Sequence, residues 1–228
     1  QITDSKGLYL IEDAAQGVGV LSNNKHVGTF GDAGILSFYG NKTITCGEGG
    51  IVLTNSDKIA KSVYKIKNHG RSRKGIFEHE TIGYNLSFTE MQAAIGIAQL
   101  KKLDLIINKK LRIYNRYREK INIGISFMPT LKHVRQVHWF STIKSKNVLG
   151  LQDHLNQNMI QSRRIFLPLH KQPCYQGILN TYDNFENSLH FYENYLSLPS
   201  SYYLKNKIID RISNEVNRFE NSNNNEVF

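Results

Sequence analysis

Short apolar segments separated by polar turns dominate the first quarter of the chain. Three of them predict β-strands, at Leu8–Ile11, Gly34–Phe38 and Gly50–Thr54. The first is so apolar that we expect it to be buried on both faces, as strands in parallel sheets are. A parallel strand needs neighbours joined by crossover connections, and no such segment precedes this one. We therefore expect the chain to be a fragment, or one product of a split gene.

The apolar spacing then changes from the strand period to the helix period. Ser56 is predicted to cap a helix that ends at Gly70. Residues 71–88 have no regular spacing and predict a loop. Thr89 and Gln92 form a capping-box pattern at the start of a long apolar helix.

A second change of pattern divides the chain into regions. A charged helical stretch over residues 105–121 is predicted to connect two lobes. Shorter strands and helices then alternate, which predicts a smaller α/β domain; these are strands at Val137–Ile143 and Ile165–Leu167 and helices at Leu151–Met159 and Asn206–Phe219. We expect a large domain over 1–104, the connecting helix, a small domain over 122–220, and a polar, disordered tail over 221–228.

Composition narrows the class of protein. The chain has 228 residues, 40% of them hydrophobic, and a formal net charge of +10, as in a globular protein that attracts phosphorylated substrates. A genome bias towards Lys and Asn explains the charge equally well. No aromatic-basic surface motif indicates nucleic-acid binding, and no apolar run is long enough to cross a membrane. Cys46 and Cys174 form no disulfide framework and no metal-ligand spacing, so we expect a cytoplasmic protein without a metal.

The first segment with chemical potential is Glu12-Asp13-Ala14-Ala15-Gln16, directly after the first strand. Ligands of open parallel sheets bind beyond the carboxyl ends of the strands. Asp13 could therefore pair with a protonated ring nitrogen, as pyridoxal phosphate (PLP) requires, and Ala15 would let a flat ring lie close to the backbone. A helix-capping role for Asp13 is the commoner alternative.

The second segment runs from Ser37 to Thr43 and is followed by the glycine turn Gly47-Glu48-Gly49-Gly50. Lys42 is either a surface residue or a Schiff-base lysine, whose amine must be unprotonated to attack an aldehyde. Ser37 could donate a hydrogen bond to a phosphate from its strand end. Neither a phosphate-binding Walker pattern nor a dinucleotide glycine fingerprint is present, so the glycines are not a generic nucleotide signature.

Together these segments resemble the DegT-type nucleotide-sugar aminotransferases, which are PLP enzymes of fold type I. The matching stretches are GLYLIEDAAQGVG, GTFGDAGILSFYGNKTITCGEGGIVLTN, IKNHGR and GYNLSFTEMQAAIGIAQLKKLD, and more loosely RIFLPLHKQP and LSLPSS. The sequence SFYGNKTIT is most similar to that of 4-aminotransferases such as the perosamine and viosamine synthases. The resemblance implies a three-layer α/β/α large domain, truncated at its N-terminus, and a smaller C-terminal α/β domain.

The resemblance also implies roles for single residues. Lys42 would bond PLP as a Schiff base and then move protons, Asp13 would pair with the ring nitrogen, and Gln16 would bond the ring's 3-hydroxyl. Ser37 would contact the cofactor's phosphate. Asn85 would reach the phosphate in a partner subunit, which implies a homodimer with shared active sites.

Several of the candidate residues could have a structural role instead of a functional one. Arg163 and His170 would line the sugar-nucleotide site, but a structural or surface role is at least as common for such residues. Gln16 could equally be the polar residue at a helix start, and Asn85 a loop residue that bonds its own backbone. Trp139 is predicted to lie in the core rather than to form a platform for the sugar.

The implied reaction transfers the amino group of glutamate to a nucleotide-linked 4-keto-6-deoxy sugar. One alternative is a PLP-dependent sugar dehydratase, although those relatives have histidine in place of Lys42. A second alternative is an inactive fragment or scaffold. The family's N-terminal portion supplies a phosphate-binding helix start and a ring-stacking aromatic, so we expect the chain alone to be deficient in cofactor binding.

Overall fold

The computed structural model describes residues 2–73, 75–121, 124–175, 177 and 184–225. The chain divides into two compact units, Gln1–Asn108 with Thr130–Trp139, and Lys109–Pro129 with Phe140–Phe228. The helices are α1 (Ile2–Lys6), α2 (Asp57–Lys67), α3 (Glu90–Leu100), α4 (Leu103–Lys120), α5 (Val148–Gln157), α6 (Glu186–Asn194) and α7 (Asn206–Asn225). The strands are β1 (Ile11–Asp13), β2 (Leu21–Ser22), β3 (Lys25–His26), β4 (Ala33–Ser37), β5 (Gly50–Leu53), β6 (Val134–Arg135), β7 (Ser141–Lys144), β8 (Arg163–Arg164) and β9 (Tyr195–Leu198).

The first unit is built on a mixed sheet with the strand order β1-β4-β5. Strands β1 and β4 are parallel, with Asp13 opposite Ile35, and β4 is antiparallel to β5. Because β1 and β4 run in the same direction, their carboxyl ends meet at one edge of the sheet. A second small sheet, β3-β2-β6, joins residues 130–139 to this unit through β6.

The predicted burial of the first strand is wrong. The strand begins at Ile11 rather than Leu8, and the side chains of Tyr9 and Ile11 are 78% and 71% exposed. Strand β1 also pairs with β4 on one side only, and no other described strand lies along its second edge. The exposure of Tyr9 and Ile11 shows that no described layer covers their side chains. An apolar run therefore indicated a strand but not the layer that would cover it.

The helix starts of the first unit follow the sequence closely. The side chain of Ser56 accepts a hydrogen bond from the backbone of Ile59 at the start of α2. The predicted capping box of Thr89 and Gln92 is confirmed at α3. Helix α2 ends at Lys67, a little earlier than predicted, and Gly70 follows with a φ of +78°.

The second unit has a compact core beneath the antiparallel sheet β7-β9-β8. Helices α4, α5 and α7 contribute most of the side chains in this core. Its buried members are Ile113, Tyr117, Ile121, Ile143, Val148, Leu151, Leu155, Ile160, Leu196, Leu198, Ile209, Ile212 and Val216. The buried hydroxyl of Tyr117 donates to the carbonyl of Pro199 at 2.9 Å, which satisfies the one polar atom of that side chain.

Several boundaries of the second region differ from prediction. Only Ser141–Lys144 of the predicted strand 137–143 is a strand, and the third strand is Arg163–Arg164 rather than 165–167. Residues 221–225 continue α7 instead of forming a disordered tail, because Glu220 is buried and accepts a 2.6 Å hydrogen bond from Ser145. Residues 226–228 of that predicted tail lie outside the described residues. Among the described residues, no helix is both long and apolar enough to cross a membrane.

Lys110 makes the stability of the second unit depend on pH. Its side chain is 7% exposed and its Nζ donates to the carbonyl of Ser200 at 3.1 Å. Burial lowers the pKa of Lys110 to about 8. Between about pH 8 and pH 10.5 the unfolded chain therefore binds more protons than the folded chain, so the folded state gains stability as the pH rises through this window.

We expect urea unfolding of the native protein and of Lys110→Met to show this difference. The free energy of unfolding of the native protein should rise relative to that of the variant by about 2 to 3 kcal/mol from pH 7 to pH 10.5. All other titrating groups are present in both proteins, so their contributions to the free energy of unfolding cancel in the comparison. Parallel pH profiles would show that Lys110 keeps an ordinary pKa.

Candidate active site

Lys42 lies in a tightly bonded loop between β4 and β5. The carbonyl of Phe38 accepts hydrogen bonds from the backbone of Cys46 and from the hydroxyl of Thr45, at 2.9 and 3.1 Å. The backbone N–H of Lys42 itself donates to the carbonyl of Tyr39 at 3.0 Å. Cys46 is buried, so the loop is anchored on both sides of the lysine.

The side chain of Lys42 lines a pocket at the carboxyl edge of the sheet. The other lining residues come from the segment after β1, from the Lys42 loop and from the segment after β6; they are Ala15, Gln16, Val18, Thr43 and Trp139. The pocket holds about 160 Å³, including space open to solvent. Because sites for small molecules enclose roughly 300–1,000 Å³, these residues form only part of the wall of such a site.

The environment of Lys42 favours a reactive amine. Burial lowers the pKa of Lys42 below its ordinary value, and the negative charge of Asp13 partly opposes this change. A lowered pKa raises the fraction of neutral amine, which is the form that attacks carbonyl carbon. The charge of Asp13 is therefore near enough to Lys42 to act on its pKa.

Asp13 does not cap a helix, which removes the commoner of its two interpretations. The segment after β1 forms turns, and no helix begins within residues 14–20. One carboxylate oxygen of Asp13 accepts the backbone N–H of Ala15 at 3.1 Å, while the side chain remains exposed. Gln16 is likewise not at a helix start; it lies in the turn and lines the pocket.

Glu12 organises the loop behind the site, a role that the sequence analysis missed. Its carboxylate accepts backbone N–H bonds from Gly28, Phe30 and Gly31 at 2.8, 2.5 and 2.8 Å. Burial acts to raise the pKa of Glu12, but these three bonds and the charge of Lys25 together lower it. The three donors lie at residues 28–31, 16 to 19 positions after Glu12. Backbone donors at that distance leave no pattern in the sequence around Glu12.

Ser37 and Asn85 lie where the sequence placed them, at a strand end and in a loop. The hydroxyl of Ser37 closes a turn by accepting the backbone N–H of Tyr39 at 3.3 Å. Asn85 is exposed and forms an isolated bridge with Asn68 at the end of α2. Loop 71–88 is thereby fastened to α2 and presents the side chain of Asn85 outwards.

Arg163 and His170 belong to the second unit. Arg163 is exposed in β8. The ring of His170 stacks on Phe185, with 4.6 Å between the ring centroids and an angle of 15° between the planes. This contact gives His170 a packing partner within the second unit.

Trp139 is not the core residue that the sequence predicted. It is half-buried in the first unit, and the Nζ atom of Lys42 lies 4.4 Å from the centroid of its ring. The indole N–H donates to the carbonyl of Asn41 at 2.5 Å. The two bonded residues are 98 positions apart in the chain, so apolar spacing could not indicate this contact.

The described residues fit PLP by the chemistry of their side chains. Lys42 offers an amine with a lowered pKa, and Asp13 offers an exposed carboxylate whose charge acts on that amine. Ala15 lies in the turn after Asp13 and lines the pocket. Its side chain is small enough for a flat ring to approach the backbone closely. An aldehyde cofactor with a basic ring nitrogen needs both groups, an amine and a carboxylate.

Comparison with known proteins points in the same direction. The model of the DegT/DnrJ/EryC1/StrS aminotransferase family matches residues 1–217. A GDP-perosamine synthase of Vibrio cholerae is 38% identical over 183 residues, which are 78% of this chain and 50% of that protein. A GDP-perosamine synthase of Escherichia coli O157:H7 is 33% identical over 96% of this chain and 60% of its own length. The chain thus spans about half to three-fifths of the length of these relatives.

Solved structures share the fold. An aminotransferase from Brucella abortus superposes with a TM-score of 0.88 at 29% identity, over 96% of this chain and 59% of that one. DesV of S. venezuelae gives a TM-score of 0.89 at 27% identity, with 96% and 60% covered. The α/β architecture predicted from the sequence, that of the fold-type-I sugar aminotransferases, is therefore confirmed.

Proposed function

Since this chain belongs to the DegT/DnrJ/EryC1/StrS aminotransferase family, we propose that it forms the lysine-bearing part of a PLP-dependent sugar aminotransferase. The substrate would be a nucleotide-linked 4-keto-6-deoxy sugar, and glutamate would donate the amino group. The observation that carries this proposal is the placement of Lys42, with its lowered pKa, at the pocket that Ala15 and Gln16 also line.

Each residue of the proposed site has a defined task. The bound cofactor supplies an electron sink that stabilises negative charge on the carbon attached to its nitrogen. Lys42 would hold the cofactor covalently through Nζ and, once free, accept and return a proton at that atom. Asp13 would keep the ring nitrogen protonated, Gln16 would orient the ring through its 3-hydroxyl, and Ser37 would bond the phosphate.

Three further observations support the proposed substrate and assembly. The similarity to two GDP-perosamine synthases supports a keto sugar aminated at position 4. The net charge of +10 suits a nucleotide diphosphate. The exposed position of Asn85 suits a residue that completes the site of a second subunit in a homodimer. We place the enzyme in the cytoplasm, in keeping with the two free cysteines.

The dehydratase alternative is less well supported than amine transfer. In that group of relatives the lysine is replaced by histidine. This chain has Lys42 at the pocket. Amine transfer is also favoured over an inactive scaffold, because the chain retains both Lys42 at the pocket and the exposed carboxylate of Asp13.

Nitrogen transfer from labelled glutamate tests the proposal. The protein is combined with the N-terminal portion that the family resemblance implies for the phosphate site and is loaded with PLP. It is then incubated with ¹⁵N-glutamate and a panel of GDP-, dTDP- and UDP-linked 4-keto-6-deoxyhexoses. We expect stoichiometric 2-oxoglutarate and a ¹⁵N-amino sugar with one preferred nucleotide. A deoxygenated sugar without ¹⁵N would favour the dehydratase, and the absence of both products from every substrate would favour the scaffold.

A further inference from the structure

The only tryptophan of the chain reaches Lys42 from a distant segment. Residues 130–139 belong to the first unit although the residues on both sides of them belong to the second. The segment is fixed by the pairing of β6 with β2 and by the hydrogen bond from Asn23 N–H to the carbonyl of His133 at 2.9 Å. Val137 is buried, and its carbonyl accepts the backbone N–H of Trp139 at 2.8 Å.

Two contacts fix the indole ring relative to the lysine. The ring faces the Nζ atom of Lys42 at 4.4 Å, inside the range of about 6 Å in which a cation is attracted to an aromatic face. The indole N–H bonds the carbonyl of Asn41, the residue before Lys42. The same side chain therefore contacts both the amine and the backbone that carries it.

We propose that Trp139 is a positioning residue for Lys42, holding the free side-chain amine at the pocket whenever it is not bonded to the cofactor. This inference rests on the proposed function, because the amine alternates between bonded and free states only if Lys42 is the lysine that bonds the cofactor. A lysine side chain has four rotatable bonds and loses conformational entropy when it is held in place. The indole face opposes that loss, and it attracts the ammonium form that exists after Nζ has accepted a proton.

The contact has a matched control on the surface of the same unit. The Nζ atom of Lys25 lies 4.7 Å from the ring centroid of Phe30, and neither side chain lines the pocket. Phe30→Leu removes a cation–aromatic pair of similar geometry without touching the proposed site. Trp139→Phe keeps a ring face but loses the N–H donor, and Trp139→Leu removes both.

A spectroscopic measurement tests the contact in the protein without cofactor. Reductive methylation with ¹³C-formaldehyde makes the lysine amines visible by NMR, and the resonance missing from Lys42→Arg identifies Lys42. We expect this resonance to be shifted upfield by the indole ring, to return to the position of surface lysines in Trp139→Leu, and to stay in place in Phe30→Leu. An unshifted Lys42 resonance in the native protein would overturn the proposal.

Measurements of kcat distinguish a positioning role of Trp139 from a contact that does not affect catalysis. In the loaded enzyme Trp139→Leu should lower kcat for amine transfer by about 3- to 10-fold, with little change in KM for glutamate, and Trp139→Phe should lie between. Phe30→Leu should match the native enzyme. Unchanged kcat in a folded Trp139→Leu protein that has lost the NMR shift would also overturn the proposal. If the cofactor bonds a lysine other than Lys42, the proposed function fails instead, whatever the NMR result.

Discussion

Replacing Lys42 with arginine should reduce amine transfer from glutamate by about 10³-fold or more. The loss is large because one substitution removes both the covalent attachment and the proton carrier, and general acid–base catalysis alone contributes about 10²- to 10⁴-fold. Arginine keeps the positive charge but cannot be deprotonated in a protein. The release of 2-oxoglutarate under saturating glutamate measures the effect.

The surface variant Lys25→Arg is the control for this experiment, since Lys25 is exposed and does not line the pocket. A second variant, Lys42→Ala, separates loss of chemistry from loss of fold. Small primary amines in the buffer can take the place of the missing Nζ, so activity should rise in proportion to their concentration. Native-like turnover in Lys42→Arg would rule out Lys42 as the reacting lysine.

Replacing Asp13 with asparagine should lower kcat by about 10²- to 10³-fold, the cost of removing one charge partner from a catalytic site. The uncharged amide cannot stabilise a protonated ring nitrogen, so the cofactor would become a weaker electron sink. Asparagine retains an oxygen that can accept the N–H of Ala15, the bond that Asp13 makes now. The local turn should therefore survive, and the variant isolates the charge.

The same substitution should move the pKa of Lys42. The carboxylate of Asp13 raises that pKa against the effect of burial, so its removal should lower it further and leave the amine neutral to a lower pH. ¹³C-methyl NMR titration of Lys42 in the protein without cofactor measures this shift directly. Asp57→Asn, at an exposed position in the first turn of α2, is the matched control. Near-normal turnover and an unmoved pKa in Asp13→Asn would contradict the role of Asp13.

Local signals in the sequence predicted the parts of the fold that local interactions determine. Helices α2 and α3 begin at side-chain caps that bond within three residues, and such bonds depend only on neighbours in the chain. Strand β4 coincides closely with the predicted segment 34–38. The parallel pairing of β1 and β4 also brings residues 12–16 and residues 37–43 to the same edge of the sheet. This was expected because the two segments follow successive strands.

Contacts between distant segments could not be predicted in this way. The apolar run at residues 8–11 was predicted to be buried, but burial depends on what packs over a strand, which no local pattern records. Trp139 was predicted to lie in the core because large aromatic side chains usually do. Its position at Lys42 follows from the pairing of β6 with β2, which joins segments more than a hundred residues apart. The clamp of Glu12 on residues 28–31 was missed for the same reason.

The most direct test of the central claim is to locate the covalent bond between cofactor and protein. The protein is combined with the N-terminal portion that the family resemblance implies for the phosphate site, PLP is added, and the bond is reduced with borohydride. The digested peptides are then mapped by mass spectrometry. The account predicts that the reduced cofactor is found on the peptide containing Lys42, and that Lys42→Arg loses this label while Lys25→Arg retains it. Specific labelling of another lysine, or an equal distribution over exposed lysines, would contradict the assignment of Lys42 and with it the proposed site.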